Sequence, residues 1–318
     1  LTVRSVGYET KTLVLESDVT GNLVVRLKKS LLNLDEVTVT GTRTEKTVAE
    51  TPVMTRIVPS EVLQRNDFES MIDVLEYNIP GLRFNTDPRG NNIQVQGLEN
   101  SYILILVDGE RLSTTPGGPI DFDRLTTANI KKIEVLKGAA SALYGSSAMG
   151  MVINIITDDS RNKVNVTSNS RYGSKNQFLQ SVNADVNVGK FGSYTSYQYQ
   201  RADGWQLNPY TESKGELVPT NKQASEGFHR NVINQRFTYD ATDRLSFYVR
   251  GTFFGRSSDR PMPMDKVNTT NYDMRKETFT YGAGAQYMIN KNSYLNADYL
   301  SDNHSTYKDF FDGKKSGE

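Results

Sequence analysis

The sequence predicts part of an antiparallel membrane β-barrel, preceded by an N-terminal α/β domain and by the remnant of a β-sandwich. Three observations predict it. Beyond Lys163, apolar and polar residues alternate with period two, as they do in strands with one apolar and one polar face. The connections between those segments alternate between short and long. Between Glu50 and Asp159 the texture is different: short apolar runs and helical spacings fill about 110 residues, enough for one compact domain.

Composition narrows the function classes. The 318 residues hold 37 Lys and Arg against 37 Asp and Glu, a formal net charge of +0, which excludes a strongly basic nucleic-acid binder. Without Cys, thiolate catalysis, disulfides and cysteine-ligated metals are excluded. The longest purely apolar run, Tyr102-Ile103-Leu104-Ile105-Leu106-Val107, falls far short of the ~18 residues of a membrane-spanning helix. A barrel escapes that test, because alternation hides it from the mean hydropathy of −0.54. The 17 Tyr and 13 Phe against a single Trp suit an aromatic-rich barrel. The opening Leu1-Thr2-Val3-Arg4 reads as the middle of a strand with no signal peptide before it, so the true N-terminus is expected upstream.

In chain order, residues 1–30 read as the last strands of the sandwich. The turn signals Gly7-Tyr8 and Gly21-Asn22 separate runs such as Thr12-Leu13-Val14-Leu15 and Leu23-Val24-Val25-Arg26-Leu27. Residues 34–46 form a β-prone link. In residues 48–159, Pro59-Ser60-Glu61 opens a short helix. Asp67 is expected to cap a second, in which Phe68, Met71, Ile72 and Leu75 recur at helical spacing before Pro80-Gly81 ends it. Strands are expected at Ile93–Gln96, Tyr102–Val107, Ile133–Leu136 and Val152–Ile156, with Asp108-Gly109 as a tight turn.

Residues 163–318 supply about seven barrel strands. The alternation predicts that Val182, Ala184, Val186, Val188, Leu245, Phe247, Val249, Phe279, Tyr281 and Tyr287 face lipid, and that Asn183, Asp185, Arg250 and Gln286 face inward. Short turns are expected at Gly189–Gly192, Asp240–Arg244 and Asn290–Ser293, and long polar loops at Gly204–Gly227 and Gly255–Lys276. Seven strands cannot close around a domain of 110 residues, whereas barrels of about twenty-two strands hold a plugged lumen. The chain is therefore read as a piece of a larger barrel.

Leu34-Asp35-Glu36-Val37-Thr38-Val39-Thr40-Gly41 reads either as an interdomain strand or as a peptide that adds to the sheet edge of a partner. Its position resembles that of the TonB box of TonB-dependent outer-membrane transporters. The resemblance becomes dense downstream. Asn78-Ile79-Pro80-Gly81-Leu82 resembles the "vPGv" step of that family, Ile93-Gln94-Val95-Gln96-Gly97 its "IRG", and Leu106-Val107-Asp108-Gly109-Glu110-Arg111 its "vDGvr". Residues 133–145, from Ile133-Glu134-Val135 to Leu143-Tyr144-Gly145, and Val152-Ile153-Asn154-Ile155-Ile156-Thr157 resemble the closing signature of its plug domain. The leading segment is similar to the carboxypeptidase-regulatory-like extension of such receptors in Bacteroidota. Two positions depart from the pattern: Gln96 replaces an arginine expected to pair plug with barrel wall, and Met151 replaces a glycine that allows close packing.

The resemblance implies a non-enzymatic protein of the Gram-negative outer membrane that takes up a scarce ligand by TonB-dependent transport, with the TonB–ExbB–ExbD complex as partner. Glu36, Val37, Thr38, Val39, Thr40 and Gly41 would bind TonB. Two plug loops would form the floor of the ligand site at the extracellular end, with Asn85, Thr86, Asp87, Arg89 and Asn91 from one and Ser113, Thr114, Thr115, Gly117 and Gly118 from the other. Ordinary solvated turns are the alternative reading of both loops. Arg201-Ala202-Asp203-Gly204-Trp205-Gln206-Leu207 is similar to the cobalamin, haem and colicin-receptor branch rather than the glycan-importing branch that works with a surface lipoprotein. Cobalamin, haem or another metal chelate is the expected cargo, with siderophores and glycans as alternatives. A non-transporting adhesin is a rival reading. In that branch acidic loops hold Ca²⁺, so Asp203-Gly204-Trp205 and Glu226-Gly227-Phe228 read either as a calcium loop or as solvated acids. His229, at the start of a strand, and His304, near a loop, lack a second ligand at i+4, and Gly145-Ser146-Ser147-Ala148 lacks the context of a serine nucleophile.

Overall fold

The structure is a computed structural model. It describes residues 54–65, 70–87, 90–112, 120–128, 130–138, 148–157, 163–206, 208–219, 225–260, 270–290 and 293–312, with short pieces at 2–3, 11–12, 25, 37–38, 46–47, 68 and 144–145. Two compact units result: residues 1–121 with 130–157, and residues 122–129 with 158–318.

In the first unit, β1 (Thr2–Val3) pairs antiparallel with β2 (Lys11–Thr12). The remaining residues of the expected sandwich runs, apart from Thr12 and Val25, lie outside the described residues. β3 (Val37–Thr38) pairs with β4 (Lys46–Thr47), Val37 opposite Thr47 and Thr38 opposite Lys46.

The centre of this unit is a five-stranded sheet. Its strands are β5 (Thr55–Pro59), β8 (Ile103–Val107), β9 (Glu110–Arg111), β10 (Ile130–Lys137) and β11 (Met151–Thr157), in the order β5-β10-β11-β8-β9. β10 runs antiparallel to β5 and β11, and β11 runs parallel to β8. Residues 103–106, 133–136 and 151–155 are buried on both faces, which explains why these strands read as unbroken apolar runs. α1 (Ser60–Arg65) and α2 (Met71–Asn78) follow β5. The cap of α2 is Ser70, not Asp67: the Ser70 Oγ accepts from the Asp73 N–H, and an Asp73 carboxylate oxygen accepts from the Ser70 N–H. That reciprocal box satisfies two donors at once, so the helix starts at Met71 and leaves Phe68 before it. β6 (Leu82–Asp87) and β7 (Gly90–Val95) form a separate hairpin.

In the second unit seven strands form an antiparallel meander in chain order. They are β12 (Val164–Tyr172), β13 (Phe178–Val188), β14 (Phe191–Ala202), β17 (Phe228–Thr242), β18 (Leu245–Arg260), β19 (Thr270–Asn290) and β20 (Ser293–Asp312). The hairpin of β15 (Tyr210–Ser213) and β16 (Glu216–Pro219) lies within the first long connection. Two-residue links join β13 to β14, β17 to β18 and β19 to β20 at one end, and the connections at residues 203–227 and 261–269 lie at the other. The expected second loop is shorter than Gly255–Lys276, because β18 runs on to Arg260 and β19 starts at Thr270. The ladder needs only backbone groups, so polar side chains do not stop it. β19 has 21 residues, about twice the 9–11 needed to cross.

Register fixes the faces. Asn183, Asp185, Arg250 and Gln286 share one face, as expected, and the ten residues expected to face lipid all share the other. On that outward face Val188, Val249, Phe279 and Tyr281 are each about half exposed or more.

Candidate functional site

Within the first unit the recurring motifs hold one another in place. Asp108 and Gly109 both have positive φ, 52° and 84°, forming the tight turn between β8 and β9. The Asp108 carboxylate accepts from the Thr157 N–H and the Thr157 hydroxyl, each at 2.8 Å, and the Asn154 Oδ1 accepts from the Gly109 N–H at 3.0 Å. Two short sequence patterns 45 to 49 residues apart thus form one junction, and its acids and amides are structural. Glu134 is fully buried and ion-paired to the Lys132 ammonium at 2.8 Å. The departure at Met151 is absorbed: its side chain is buried, and it pairs with Ile103 and Lys137. The close approach falls instead on Gly150, where a Cβ would lie 3.1 Å from the Tyr102 carbonyl oxygen. Gln96 sits exposed on a tight turn with φ 49°.

Of the residues expected to contact ligand, Asn85, Thr86, Asp87 and Asn91 belong to the β6–β7 hairpin rather than to an open loop. Asn85 is exposed. Asn91 is buried, and its backbone exchanges two 3.0 Å hydrogen bonds with Ile120. A ladder closing at Asp87–Gly90 leaves only two residues at the tip, which moves Asn91 down into the paired stem. Arg89, Ser113, Thr114, Thr115, Gly117 and Gly118 lie outside the described residues, as do Glu36, Val39, Thr40 and Gly41 of the expected TonB-binding peptide. Val37 and Thr38 are the described part of that peptide; they form a two-residue ladder with Lys46 and Thr47.

The second unit contains an arrangement that the sequence reading missed. Residues 122–128 lie on the face opposite the apolar one, here called inner. The Phe122–Arg124 turn presents Asp123 to two arginines that are direct cross-strand neighbours. Asp123 Oδ1 is 3.3 Å from the Arg230 Nη1, and Asp123 Oδ2 is 3.0 Å from the Arg256 Nη1. Like charges directly opposite on a sheet repel, so the carboxylate between them is what makes the pair tolerable. Arg124, itself buried, reaches the Asp302 carboxylate at 3.1 Å, and Asp302 also accepts from the Thr280 hydroxyl at 2.8 Å. The Thr126 hydroxyl donates to the Gln198 Oε1, and the Asn183 amide donates to the Ala128 carbonyl at 2.9 Å. Five strands thus contribute to one docking seat: β13, β14, β17, β18 and β20. Its bonds are reversible hydrogen bonds and ion pairs, suited to holding a segment and not to breaking a bond in a ligand.

The other candidates resolve differently. His304 is within β20 rather than near a loop, between the Thr278 hydroxyl at 2.8 Å and the Thr306 hydroxyl at 3.2 Å, because β20 continues well past it. His229 is exposed as the second residue of β17. An isolated bridge between Trp205 and Ser225 aligns the two ends of the first long connection, and Asp203 accepts from the Asn176 amide at 3.4 Å. Among the described residues, no three His, Asp or Glu converge closely enough to hold a metal ion. Ser146 and Ser147 lie outside the described residues.

Comparison with known proteins agrees with this geometry. Residues 47–152 match the TonB-dependent Receptor Plug Domain. The vitamin B12 transporter BtuB of Vibrio vulnificus is 36% identical over 129 residues, covering 40% of this chain and 21% of the relative. Among solved structures, the FrpB iron transporter of Neisseria meningitidis superposes with TM-score 0.65 at 14% identity, over 80% of this chain and 41% of that one. The ferric-catecholate import receptor Fiu of E. coli K12 gives 0.63 at 17% identity, over 82% and 40%. A mutant ferric enterobactin receptor, PfeA of Pseudomonas aeruginosa, gives 0.62 at 16% identity, over 79% and 41%. The chain spans about two-fifths of these structures and about a fifth of the curated relative. Its fold is therefore that of TonB-dependent receptors, with the plug domain followed by seven strands like those of their barrel.

Proposed function

We propose that the protein to which this chain belongs imports a metal chelate across the outer membrane, driven by TonB–ExbB–ExbD acting on the peptide around Val37. The observation that carries this reading is the docking of residues 122–128, a stretch of the plug-domain match, on the inner face of the barrel sheet through Asp123, Arg124 and Thr126. An adhesin whose barrel serves only as an anchor has no need of a plug segment held by reversible bonds. A catalytic barrel would need a convergent nucleophile and base.

Sequence similarity to a vitamin B12 transporter supports a cobalamin-type cargo. Haem and siderophores belong to the same chemical class of bulky chelates, too large for porin diffusion. One observation favours a second reading, an anionic chelate: by register the inner face carries Arg171, Arg230, Arg236, Arg250, Arg256, Arg260, Lys276 and Lys308 against Asp185, Asp240, Asp298, Asp302 and Asp312, with Asp123 seated between Arg230 and Arg256. Glycan import stands as the less supported alternative. Mass spectrometry of the ligand retained by the full-length protein tests the reading. A cobalt corrinoid, haem or ferric chelate is the expected result; a bound oligosaccharide, with none of these, would overturn the assignment of cargo.

A further inference from the structure

The arginine pair that holds Asp123 is fixed, whereas its present occupant is replaceable. Arg230 and Arg256 face each other on β17 and β18, and the ladder of those two strands holds their backbones. Asp123 is carried by the Phe122–Arg124 turn, which belongs to no β ladder among the described residues. Exposure follows the same division: the Asp123 side chain is 29% exposed, against 5% for Arg230 and 14% for Arg256. A carboxylate that leaves this seat passes into water, and the guanidinium groups stay where they are.

The fit of Asp123 is also incomplete. It meets each arginine through one nitrogen, the Nη1, at 3.3 and 3.0 Å, where a guanidinium fork can take an anion through two. The Arg256 Nε is buried with no hydrogen-bond partner among the described residues. An unmet buried donor is costly, so an anion that also reaches this nitrogen is favoured over the carboxylate now present. The seat is approached from the long-connection end. Phe228, opposite Ser258, stands one inner row beyond the arginines, about 7 Å along the strands. Its ring centre lies 5.0 Å from the Arg256 guanidinium, and Phe228 lines a cavity of about 560 Å³ with Ala202, Gly204 and Gly227. An oxyanion borne on an aromatic group matches both features, its ring against Phe228 and its oxygens on Arg256.

Asp123 is the first anchor of its segment. The chain arrives from Ile120, whose backbone is bonded to Asn91 of β7, and continues to Arg124 and Thr126, which hold Asp302 and Gln198. We propose that Asp123 is an internal stand-in for the oxyanion of the cargo: an anionic aromatic chelate takes its place on Arg230 and Arg256, and the release of Asp123 unpins the leading end of residues 122–128 from the wall. The proposal rests on the anionic-chelate reading above. Each arginine has an anionic partner before and after the exchange, so no buried charge is left unpaired. The tethered carboxylate competes with the cargo, which finds the seat free only for the fraction of time that Asp123 is out.

Amide exchange of the full-length protein in detergent, read by mass spectrometry, tests this with two probes. One is a synthetic hexadentate tricatecholate charged with Fe³⁺, which is anionic; the other is cyanocobalamin, which is uncharged. In the parent the tricatecholate should speed exchange at residues 122–125, and cyanocobalamin should leave it unchanged. Affinities follow from quenching of tyrosine fluorescence. D123N should bind the tricatecholate about tenfold more tightly, because the competitor is gone, and R256Q about tenfold more weakly. R244Q, in the two-residue link at the opposite end, should bind as the parent does. Heat-modifiable migration on gels reports whether each variant has assembled, and the exchange measured on the parent needs no variant. Tricatecholate bound with exchange at residues 122–125 unchanged, or bound by assembled D123N at the parental affinity, would overturn the proposal and leave the anionic-chelate reading standing. Faster exchange on adding cyanocobalamin would also overturn it, since no anion then replaces the carboxylate. A tricatecholate that does not bind the parent would overturn that reading, and the proposal with it.

Discussion

In β10 and β11 the residues on both faces are buried, from Ile133 to Leu136 and from Met151 to Ile155, whereas in β14 burial alternates residue by residue from Phe191 to Gln198. The plug sheet is a small soluble core, stabilised by removing apolar side chains from water on both faces. The barrel sheet has nothing to gain from that on its outer face, where Val188 and Val249 stay exposed for lipid. Its stability comes from uninterrupted ladders, and its inner face is free to be polar. Side-chain truncation should therefore damage the plug and spare the barrel's outer face, which should be sensitive to charge instead.

The largest expected effect is in the plug. Ile153 is fully buried, and Ile153→Ala should destabilise that sheet by about 2–5 kcal/mol, measured as lost amide-exchange protection in β8, β10 and β11. Barrel assembly, followed by heat-modifiable migration, should be unchanged. If Ile153→Ala also blocks assembly, the two regions do not draw on separate sources of stability. On the barrel, Val249→Arg should cost about 2–4 kcal/mol in refolding into bilayers, provided that Val249 lies near the midplane, while Val249→Ala should cost little. An arginine tolerated there would remove Val249 from the lipid face.

Between these extremes is the seat of residues 122–128. A double-mutant cycle of Asp123→Ala and Arg256→Ala should give a coupling of about 0.5–3 kcal/mol, read from the opening of this segment by amide exchange. Additive effects would mean that the ion pair does not hold the segment. The smallest effect is expected at the short-link end, where the Lys190 ammonium donates to the Ala241 carbonyl on the surface. Lys190→Ala should change refolding stability by less than about 0.5 kcal/mol.

The same contrast explains what could be read from the sequence. Period-two alternation encodes a face directly, so the orientation of Val182, Asn183, Phe247 and Arg250 was legible without any structure. Unbroken apolar runs located β8, β10 and β11. Alternation says nothing once a strand leaves the bilayer, and so residues 255–260 and 270–276 looked like loop. Hairpin β6–β7 was missed because Asn85-Thr86-Asp87 and Asn91-Asn92 are weak strand formers that pair through their backbones. The docking seat was not legible at all. Phe122-Asp123-Arg124 has no periodicity, and its partners Gln198, Arg230 and Asp302 lie 72 to 178 residues away in sequence. Only the fold brings them together.

Coupled transport is most directly tested at Val37, whose backbone a partner strand would have to pair with. Cells expressing the full-length protein with Val37→Pro, which removes one backbone donor, are compared with the parent for surface binding and for accumulation of the labelled chelate that co-purifies with it. The account predicts parental binding with accumulation reduced to that of cells lacking TonB. Accumulation at the parental rate would contradict it.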